Sequence, residues 1–323
     1  MKKALITGIA GFAGSHLAEF LLTKKIKVFG FYHPEHPTEN IDHIRDKLEL
    51  VACDMLDEKK VNAALGTINP DYLFHLAAFS SPAQSFAIPR ETLENNIVGE
   101  LTLLEALVQN KSRARILVIG SADEYGKISE KNLPADETTP LAPLSPYAVS
   151  KVAQDFLGLQ FFLHHKLHVV RVRPFNHIGP RQGASFVVSA FAGRIVRLEK
   201  EGGGTIVVGN LESWRDFTDV RDMVQAYLLA LEIGKPGEVY NLGSGRAVKI
   251  EEVLKMMLTL AKVKIEVRED KKLFHPQDVK IIYCDFAKFK RETGWHPKIP
   301  MKTTLFDTIE YEREKSRWHK KEH

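Results

Sequence analysis

The sequence predicts an α/β fold, in which a doubly wound parallel sheet carries a smaller, interleaved C-terminal domain. Two observations predict it. In the N-terminal half, short apolar runs of β-strand type alternate with longer helical patterns, which is typical of βαβ units with helices on both faces of a parallel sheet. After Pro174, segments rich in glycine and arginine interrupt this alternation before a strand pattern returns.

Each element is predicted from its hydrophobic period and from the residues that flank it. The predicted strands are residues 3–7, 27–31, 48–52, 72–76, 115–119, 169–173 and 238–242. The predicted helices are residues 14–24, 61–67, 91–110, 146–165, 219–231, 249–261, 286–293 and 303–320. The length of 323 residues suits about two domains. We expect a first domain of residues 1–174 plus about 216–248, and a second of about 175–215 plus 249–323.

The composition excludes several classes of protein. With 44% hydrophobic and 27% charged residues and a net charge of +4, the chain resembles an average globular protein. Its basic residues are spread out, so no nucleic-acid partner is expected, and no run is apolar enough for a membrane helix. Cys53 and Cys284 have neither disulfide-framework nor metal-ligand spacing. We therefore expect a cytoplasmic protein with reduced thiols and no metal site.

A glycine-rich loop lies between the first predicted strand and the first predicted helix. It has the spacing G-x-x-G-x-x-G, which permits a tight turn and close approach of a pyrophosphate to the helix N-terminus. This position predicts a Rossmann-like dinucleotide site. The residues expected to contact the cofactor there are Gly8, Gly11, Phe12, Ala13 and Gly14.

The end of the second strand predicts which dinucleotide binds. An NAD site places an acidic residue there, on the ribose 2′-hydroxyl, whereas this chain has His33, and its first acid is Glu35. NADP(H) is therefore preferred, with His33 or Arg45 near the 2′-phosphate, and NAD(H) is possible because Glu35 could reach. Asp54 suits the adenine amino group, although it could instead cap the next helix.

Three side chains form the predicted catalytic group. Tyr147 and Lys151 are four residues apart and so share one face of a helix. Ser121 follows the strand 115–119, at the carboxyl edge where doubly wound sheets bind ligands. An ammonium beside a phenol lowers the phenol pKa, so Tyr147 could exchange a proton with a carbonyl or carbinol oxygen that the Ser121 hydroxyl holds.

These motifs together resemble the extended short-chain dehydrogenase/reductase family over nearly the whole chain. The likeness rests on the glycine loop, on His75-Leu76-Ala77-Ala78, on Ser121, on Tyr147-x-x-x-Lys151 and on Arg173-Pro174-Phe175-Asn176. It implies that the first domain binds NADP(H) and that Tyr147 and Lys151 also contact the cofactor. The further cofactor contacts it implies are Met55, Leu76, Ala77, Ala78 and Pro174.

Within that family the chain is similar to the nucleotide-sugar branch that acts on GDP-mannose derivatives. Residues 175–180 read Phe-Asn-His-Ile-Gly-Pro, as in reductases of the 4-keto sugar, whereas the 4,6-dehydratases typically read Phe-Asn-His-Glu-Ser-Pro. The resemblance implies NADPH-dependent reduction of the C4 keto group of GDP-4-keto-6-deoxy-D-mannose to GDP-D-rhamnose. The alternatives are a GDP-mannose 4,6-dehydratase, an NAD-dependent nucleotide-sugar 4-epimerase, and a cofactor-sensing binding protein without catalysis.

Asp123 occupies the position of the glutamate in the Thr-Ser-Glu motif of the dehydratases, where that glutamate serves as a base. The carboxylate here is one methylene shorter, so Asp123 is a catalytic base, a helper that orders substrate or water, or a turn residue without a catalytic role. Residues 275–278 read His-Pro-Gln-Asp where the family often has Arg-Pro-x-Glu. The family positions implied for the GDP-sugar pocket are Ser80, Ser121, Asn176, Arg181, Arg215 and Asp278.

The resemblance also implies an oligomer. Helices 91–110 and 146–165 correspond to those that pair two subunits of the family into a four-helix bundle, so we expect a homodimer. Both helices also have stripes that suit the core of one subunit.

Overall fold

The computed structural model describes residues 1–274 and 279–318. Its strands are β1 (Lys3–Thr7), β2 (Lys27–Tyr32), β3 (Glu49–Ala52), β4 (Tyr72–His75), β5 (Arg115–Ile119), β6 (His168–Pro174), β7 (Asn176–Ile178), β8 (Gly204–Val208), β9 (Trp214–Asp219), β10 (Val239–Leu242), β11 (Ala247–Lys249), β12 (Ile265–Glu269) and β13 (Ile281–Ile282). Its α-helices are α1 (Phe12–Thr23), α2 (Glu58–Ile68), α3 (Pro82–Ser85), α4 (Pro89–Leu93), α5 (Gly99–Gln109), α6 (Pro146–His165), α7 (Val187–Glu201), α8 (Val220–Ile233), α9 (Ile250–Leu258), α10 (Ala287–Thr293) and α11 (Met301–Trp318).

The central sheet contains seven parallel strands in the order β10-β6-β5-β4-β1-β2-β3. The order reverses beside β1, as in doubly wound folds. Thr7 is in register with both Phe31 and His75, so the carboxyl ends of β1, β2 and β4 meet at one edge. The predicted fold class is confirmed.

Two hydrophobic clusters cover the two faces of this sheet. On one face, Leu17 and Leu21 of α1 pack with Met223 and Tyr227 of α8. On the other face, α2, α5 and α6 contribute their own buried side chains, with Leu103 of α5 among them. Burial of a leucine side chain contributes about 1.5–3 kcal/mol, so the amphipathic helices hold the sheet edge firmly. None of the helices in the described ranges is long and apolar enough to cross a membrane.

The predicted helix 91–110 is not one regular helix. It consists of α4, a π-helical segment at Glu94–Val98, and α5. A π-helical turn inserts one extra residue into a helix and often lies at a functional site. Here it holds Asn96, which is fully buried.

A second group of strands and helices lies outside the main sheet. β9 pairs with β7, β11 and β13, and β8 pairs with β12. Helices α7, α9 and α11 pack on these strands around a third cluster. Sequence analysis missed α7 and the short strands, and the expected boundary near residue 216 falls inside β9. The division into two domains stays a prediction.

Candidate active site

The glycine loop adopts a conformation that only small residues permit. Gly8 has a φ of +69°, and a Cβ there would lie 2.9 Å from the backbone of Ala77. A Cβ on Gly14 would lie 2.3 Å from the carbonyl oxygen of Gly8. Gly11 is the N-cap of α1, and no side chain accepts a hydrogen bond from the first turn. The first backbone amides of α1 are therefore not used by a capping side chain. Phe12 and Ala13 form that first turn, which fits the pyrophosphate of a dinucleotide.

The ends of β2 and β3 bring two predicted cofactor residues together. His33 Nε2 lies 3.7 Å from Asp54 Oδ2. Asp54 does not cap α2, because Asp57 does so by accepting a hydrogen bond from the Lys60 amide at 3.0 Å. Arg45 donates to Thr38 Oγ1 and lies near Asp42. His33 and Asp54 thus lie together after the ends of β2 and β3, and their contacts with the cofactor stay a prediction.

The loop after β4 is fixed to β1. Thr7 Oγ1 lies 2.9 Å from His75 Nδ1 and accepts a hydrogen bond from the Ala77 amide at 3.1 Å. Burial and the charge of Lys151 lower the pKa of His75 to about 3, so the imidazole is neutral. These bonds hold the segment containing Leu76, Ala77 and Ala78 against the glycine loop. Of the other predicted cofactor contacts, Met55 and Pro174 are buried.

The N-terminal turn of α6 presents Tyr147 and Lys151. Ser145 caps it by accepting from the Ala148 amide at 3.1 Å, and Pro146 occupies the first helical position. Lys151 Nζ donates to the Ile119 carbonyl at 2.8 Å. This bond joins the catalytic helix to the end of β5, the strand that leads to Ser121.

The pKa values of the pair differ from the expectation. Burial raises the pKa of Tyr147, as does Asp123, whereas a hydrogen bond with the Ser121 hydroxyl lowers it. Burial lowers the pKa of Lys151 to about 8, although Glu100 and Glu124 oppose that shift. The predicted lowering of the Tyr147 pKa by Lys151 is not found, because burial dominates. Tyr147 therefore keeps its hydroxyl proton in this arrangement.

Ser121 begins a short turn of 3₁₀-helix at Ala122–Glu124 and is part of a capping box. Its hydroxyl accepts from the Asp123 amide at 3.1 Å, while Glu124 Oε1 accepts from the Ser121 amide at 2.7 Å. A Cβ on Gly120 would lie 2.1 Å from Glu124 Oε1. Glu124 is thus directed inward, and burial raises its pKa to about 8. Burial also raises the pKa of Asp123, and Arg215 opposes this.

A buried ionic network connects α6 with β6 and with the 3₁₀ turn after Ser121. Asp155 of α6 accepts from Arg171 at 2.8 Å and from Arg173 at 2.5 Å. Arg173 Nε also lies 3.1 Å from Glu124 Oε2, and its other arm donates to the Tyr125 hydroxyl at 3.1 Å. The network ties α6, β6 and the 3₁₀ turn together, so the candidate catalytic side chains of these elements are held in fixed relative positions.

The predicted substrate residues are in different situations. Asn176 and Ser80 are exposed. Arg215 donates a hydrogen bond to the Val279 carbonyl at 2.6 Å. Its positive charge opposes the rise in the pKa of Asp123. Asp278 and the rest of residues 275–278 lie outside the described residues. Among the residues that are described, no cluster of three or more metal-ligating side chains is present.

Arg181 has internal partners. Its guanidinium binds both carboxylate oxygens of Glu19 at 2.8 Å, donates to the Asn40 carbonyl at 3.1 Å and lies 2.8 Å from His16 Nδ1. The role of Arg181 in binding a diphosphate stays a prediction, and these contacts weigh against it because each would have to be exchanged.

Sequence reasoning missed several residues that shape the site. They share complete burial, which a single helical or strand pattern does not reveal. Asp155 and Gln154 had one available signal, because polar residues there interrupt the apolar stripe of α6. These residues are Asn96, Glu100, Gln154 and Asp155.

The family now follows from comparison with known proteins. The sequence profile described as GDP-mannose 4,6 dehydratase matches residues 5–308. The chain belongs to that family. Its members and their relatives are oxidoreductases of the short-chain dehydrogenase/reductase type, as predicted.

Individual relatives cover almost the entire chain. GDP-6-deoxy-D-mannose reductase of Pseudomonas aeruginosa is 34% identical over 306 residues, which are 94% of this chain and 95% of the relative. The structure of RMD from Pseudomonas aeruginosa complexed with NADPH has a TM-score of 0.84 at 31% identity, covering 98% and 100% of the two chains. UDP-glucose 4-epimerase of Thermus thermophilus, complexed with NAD, has a TM-score of 0.85 at 29% identity, covering 96% and 99%.

Proposed function

We propose that this protein is an NADPH-dependent reductase that converts GDP-4-keto-6-deoxy-D-mannose into GDP-D-rhamnose. The observation that carries the proposal is the burial of Tyr147 together with Ser121 at the carboxyl end of β5, where the Ser121 hydroxyl acts on the Tyr147 phenol. A buried phenol that keeps its proton, beside a second hydroxyl, suits protonation of an oxygen that becomes an alkoxide. The similarity to the reductase of Pseudomonas aeruginosa supports this direction.

The proposed mechanism assigns one task to each side chain. NADPH, when bound, supplies the hydride for C4 of the sugar. Ser121 donates a hydrogen bond to the C4 oxygen, and Tyr147 transfers its hydroxyl proton to that oxygen as negative charge develops. Lys151 carries a positive charge beside the phenolate that remains, and it would hold the nicotinamide ribose of the bound cofactor. A solvent proton then restores the Tyr147 hydroxyl, so one hydride and one proton are added to the ketone.

The carboxylates near the site favour reduction over dehydration. A 4,6-dehydratase needs a base for the C5 proton, and Glu124 is poorly suited because it caps the Ser121 amide and pairs with Arg173. Asp123 has a raised pKa from burial and a short side chain. The second candidate is the dehydratase with Asp123 as its base, which the family match favours.

The cofactor preference rests on the end of β2. No carboxylate side chain is positioned there at residue 33, and His33 lies near Asp54 instead. A neutral or protonated imidazole tolerates a 2′-phosphate better than a carboxylate does. NADPH is therefore the proposed cofactor, with NAD(H) as a weaker alternative. The remaining predicted contacts with cofactor and substrate are part of the same proposal.

We also propose that α6 pairs with its copy in a second subunit. Val149, Phe156 and Leu163 are seven residues apart and are 45%, 52% and 57% exposed. This spacing places three large apolar side chains in one stripe, which a four-helix bundle would cover. A homodimer is expected at micromolar concentration, and Phe156→Glu should produce monomers in analytical ultracentrifugation.

One assay separates the candidate reactions. The purified protein is mixed with NADPH and GDP-4-keto-6-deoxy-D-mannose, and NADPH absorbance is followed. We expect one NADPH to be consumed for each GDP-D-rhamnose formed. Conversion of GDP-mannose without added reductant would replace this proposal with the dehydratase. Interconversion of a nucleotide sugar with its C4 epimer would replace it with the epimerase.

A further inference from the structure

Glu100 is a buried carboxyl group that the proposed mechanism does not use. It lies in the first turn of α5, where its residue exposure is 0%. Neither carboxyl oxygen has a hydrogen-bond partner among the described residues. An ionised carboxylate in such a place is costly unless a cation compensates it. The carboxyl group therefore stays protonated unless a buried cation lies near it.

The arginines of the neighbouring network already have anionic partners. Asp155 pairs with both Arg171 and Arg173, and Glu124 pairs with Arg173 as well. Lys151, by contrast, donates its hydrogen bond to the neutral carbonyl of Ile119. Asn96, one turn before Glu100, donates a hydrogen bond to Ser150, the residue before Lys151. Helix α5 also packs on α6, so Lys151 is the buried cation whose charge acts on the Glu100 carboxyl, without a direct ion pair between them.

Several other groups surround this pair. Gln154, one turn after Lys151, lies beside the Glu100 carboxyl and contacts His75 Nε2 at 3.3 Å. The Lys151 charge favours the ionised form of Glu100, whereas Asp155 and Glu124 disfavour it. His75 of β4 is neutral, because burial and the charge of Lys151 lower its pKa.

We propose that Glu100 is a positioning residue that acts through Lys151 and keeps this lysine protonated beside Tyr147. The inference rests on the role proposed for Lys151 but not on the identity of the sugar. Burial raises the pKa of Glu100 well above its usual value and lowers that of Lys151 to about 8, while Glu100 opposes this lowering.

As the pH rises, either Glu100 or Lys151 can therefore be the first of the two groups to release a proton. In the wild type, the first proton lost to solvent can come from the Glu100 carboxyl, which leaves the lysine charged. In Glu100→Gln, the lysine itself must lose it. Since removal of a facing carboxylate lowers a lysine pKa, the variant should lose the ammonium at lower pH.

The test uses Glu100→Gln, with Glu100→Leu as a second variant that removes the polar group altogether. Glu105→Gln is the control, because this residue lies on the same helix but is exposed. The alkaline limb of kcat/KM should move down by about one pH unit in both Glu100 variants. At a pH above that limb, this corresponds to about a ten-fold loss of activity.

Two further measurements do not depend on turnover. The Kd for NADPH, followed by protein fluorescence, should begin to rise at a lower pH in the Glu100 variants than in the wild type or control. Infrared spectroscopy of the wild type should show a protonated carboxylic acid band above pH 6, and part of it should be absent in Glu100→Gln.

The outcomes separate this inference from the proposed function. A protein that fails to reduce the 4-keto sugar but shows the shifted NADPH-binding profile retains the Glu100–Lys151 pair. Three results would overturn the inference: no protonated carboxyl band in the wild type, an infrared band unchanged in Glu100→Gln, or pH profiles unchanged in the folded variants. A shift of equal size in Glu105→Gln would also overturn it.

Discussion

Asn96 Nδ2 donates a hydrogen bond to Ser150 Oγ at 2.9 Å, joining the π-helical segment to the catalytic helix. The same side chain accepts from the Phe79 amide at 2.8 Å and donates to the Phe79 carbonyl at 3.1 Å. Ser150 in turn donates to the Tyr147 carbonyl at 2.7 Å. One amide therefore fixes both the loop after β4 and the turn that presents Tyr147.

Replacement of Asn96 should loosen both segments. In Asn96→Ala, the buried Phe79 amide and carbonyl lose their partner, at a cost of about 1–3 kcal/mol. We expect a lower free energy of unfolding by urea titration and a reduced kcat. Asn95→Ala is the matched control, because the Asn95 side chain donates to Asn96 Oδ1 and makes no other hydrogen bond with the described residues. An equal loss of kcat in both variants would contradict the special role of Asn96.

Tyr147→Phe should abolish most of the reduction while leaving cofactor binding intact. The change removes the proton donor but retains the ring, which Lys151 Nζ approaches to 5.9 Å. A positioned general acid contributes about 10²- to 10⁴-fold, so kcat should fall by that factor in NADPH absorbance assays. The Kd for NADPH should change less than about three-fold. A fully active variant would show that another group donates the proton.

Gly8→Ala should weaken NADPH binding. The new methyl group would meet the backbone of Ala77 at 2.9 Å, and the φ of +69° is unfavourable for alanine. We expect a rise of about ten-fold or more in Kd, equivalent to about 1.4 kcal/mol. Gly202→Ala is the control, since its φ is +84° but no heavy atom lies within 4 Å. That variant should lose some stability and keep the Kd for NADPH.

His33→Glu should shift the cofactor preference from NADPH toward NADH. A carboxylate at the end of β2 can accept a hydrogen bond from a ribose 2′-hydroxyl but repels a 2′-phosphate. The ratio of the two kcat/KM values should change by about ten-fold or more. Glu35→Gln serves as the control, because the Glu35 side chain is exposed. A greater shift in that control would assign the selectivity to Glu35.

The strands of the main sheet could be predicted because each signal is local. Alternating periods along the chain predict βαβ units, and the glycine loop can only follow β1. The short strands β7, β11 and β13, of two or three residues each, carry too few side chains to show a period. Helix α7 was missed although it is amphipathic, because glycine-rich segments on either side suggested irregular structure.

Contacts between side chains that are far apart in the sequence could not be predicted in the same way. The glycines and the Tyr147–Lys151 pair are recognised by their spacing, so their places at the first strand-to-helix turn and at the start of α6 could be predicted. Arg181 finds Glu19 across 162 residues, and no local pattern encodes such a contact. Glu100 occupies a helical position whose burial depends on how closely α6 approaches. Long-range packing, rather than propensity, determines these parts of the site.

His16 should make the protein less stable in mild acid. Its Nε2 lies 2.9 Å from the Pro180 carbonyl and its Nδ1 faces Arg181, so the neutral ring donates on one side and accepts on the other. Burial, reinforced by the Arg181 charge, lowers the pKa of His16 to about 4. The unfolded chain binds a proton near pH 6.5, and the folded chain does not.

The sign follows from that difference. Between pH 6.5 and about 4 the unfolded state holds more protons, so the free energy of unfolding falls as pH falls, by up to about 1.4 kcal/mol per pH unit. His16→Gln should flatten this slope in urea titrations at a series of pH values. Part of the slope should remain in this variant, because His75 also has a lowered pKa, of about 3. His164→Gln, on the surface near the end of α6, should leave the slope unchanged, and an unchanged slope in His16→Gln would mean that the buried imidazole is already protonated.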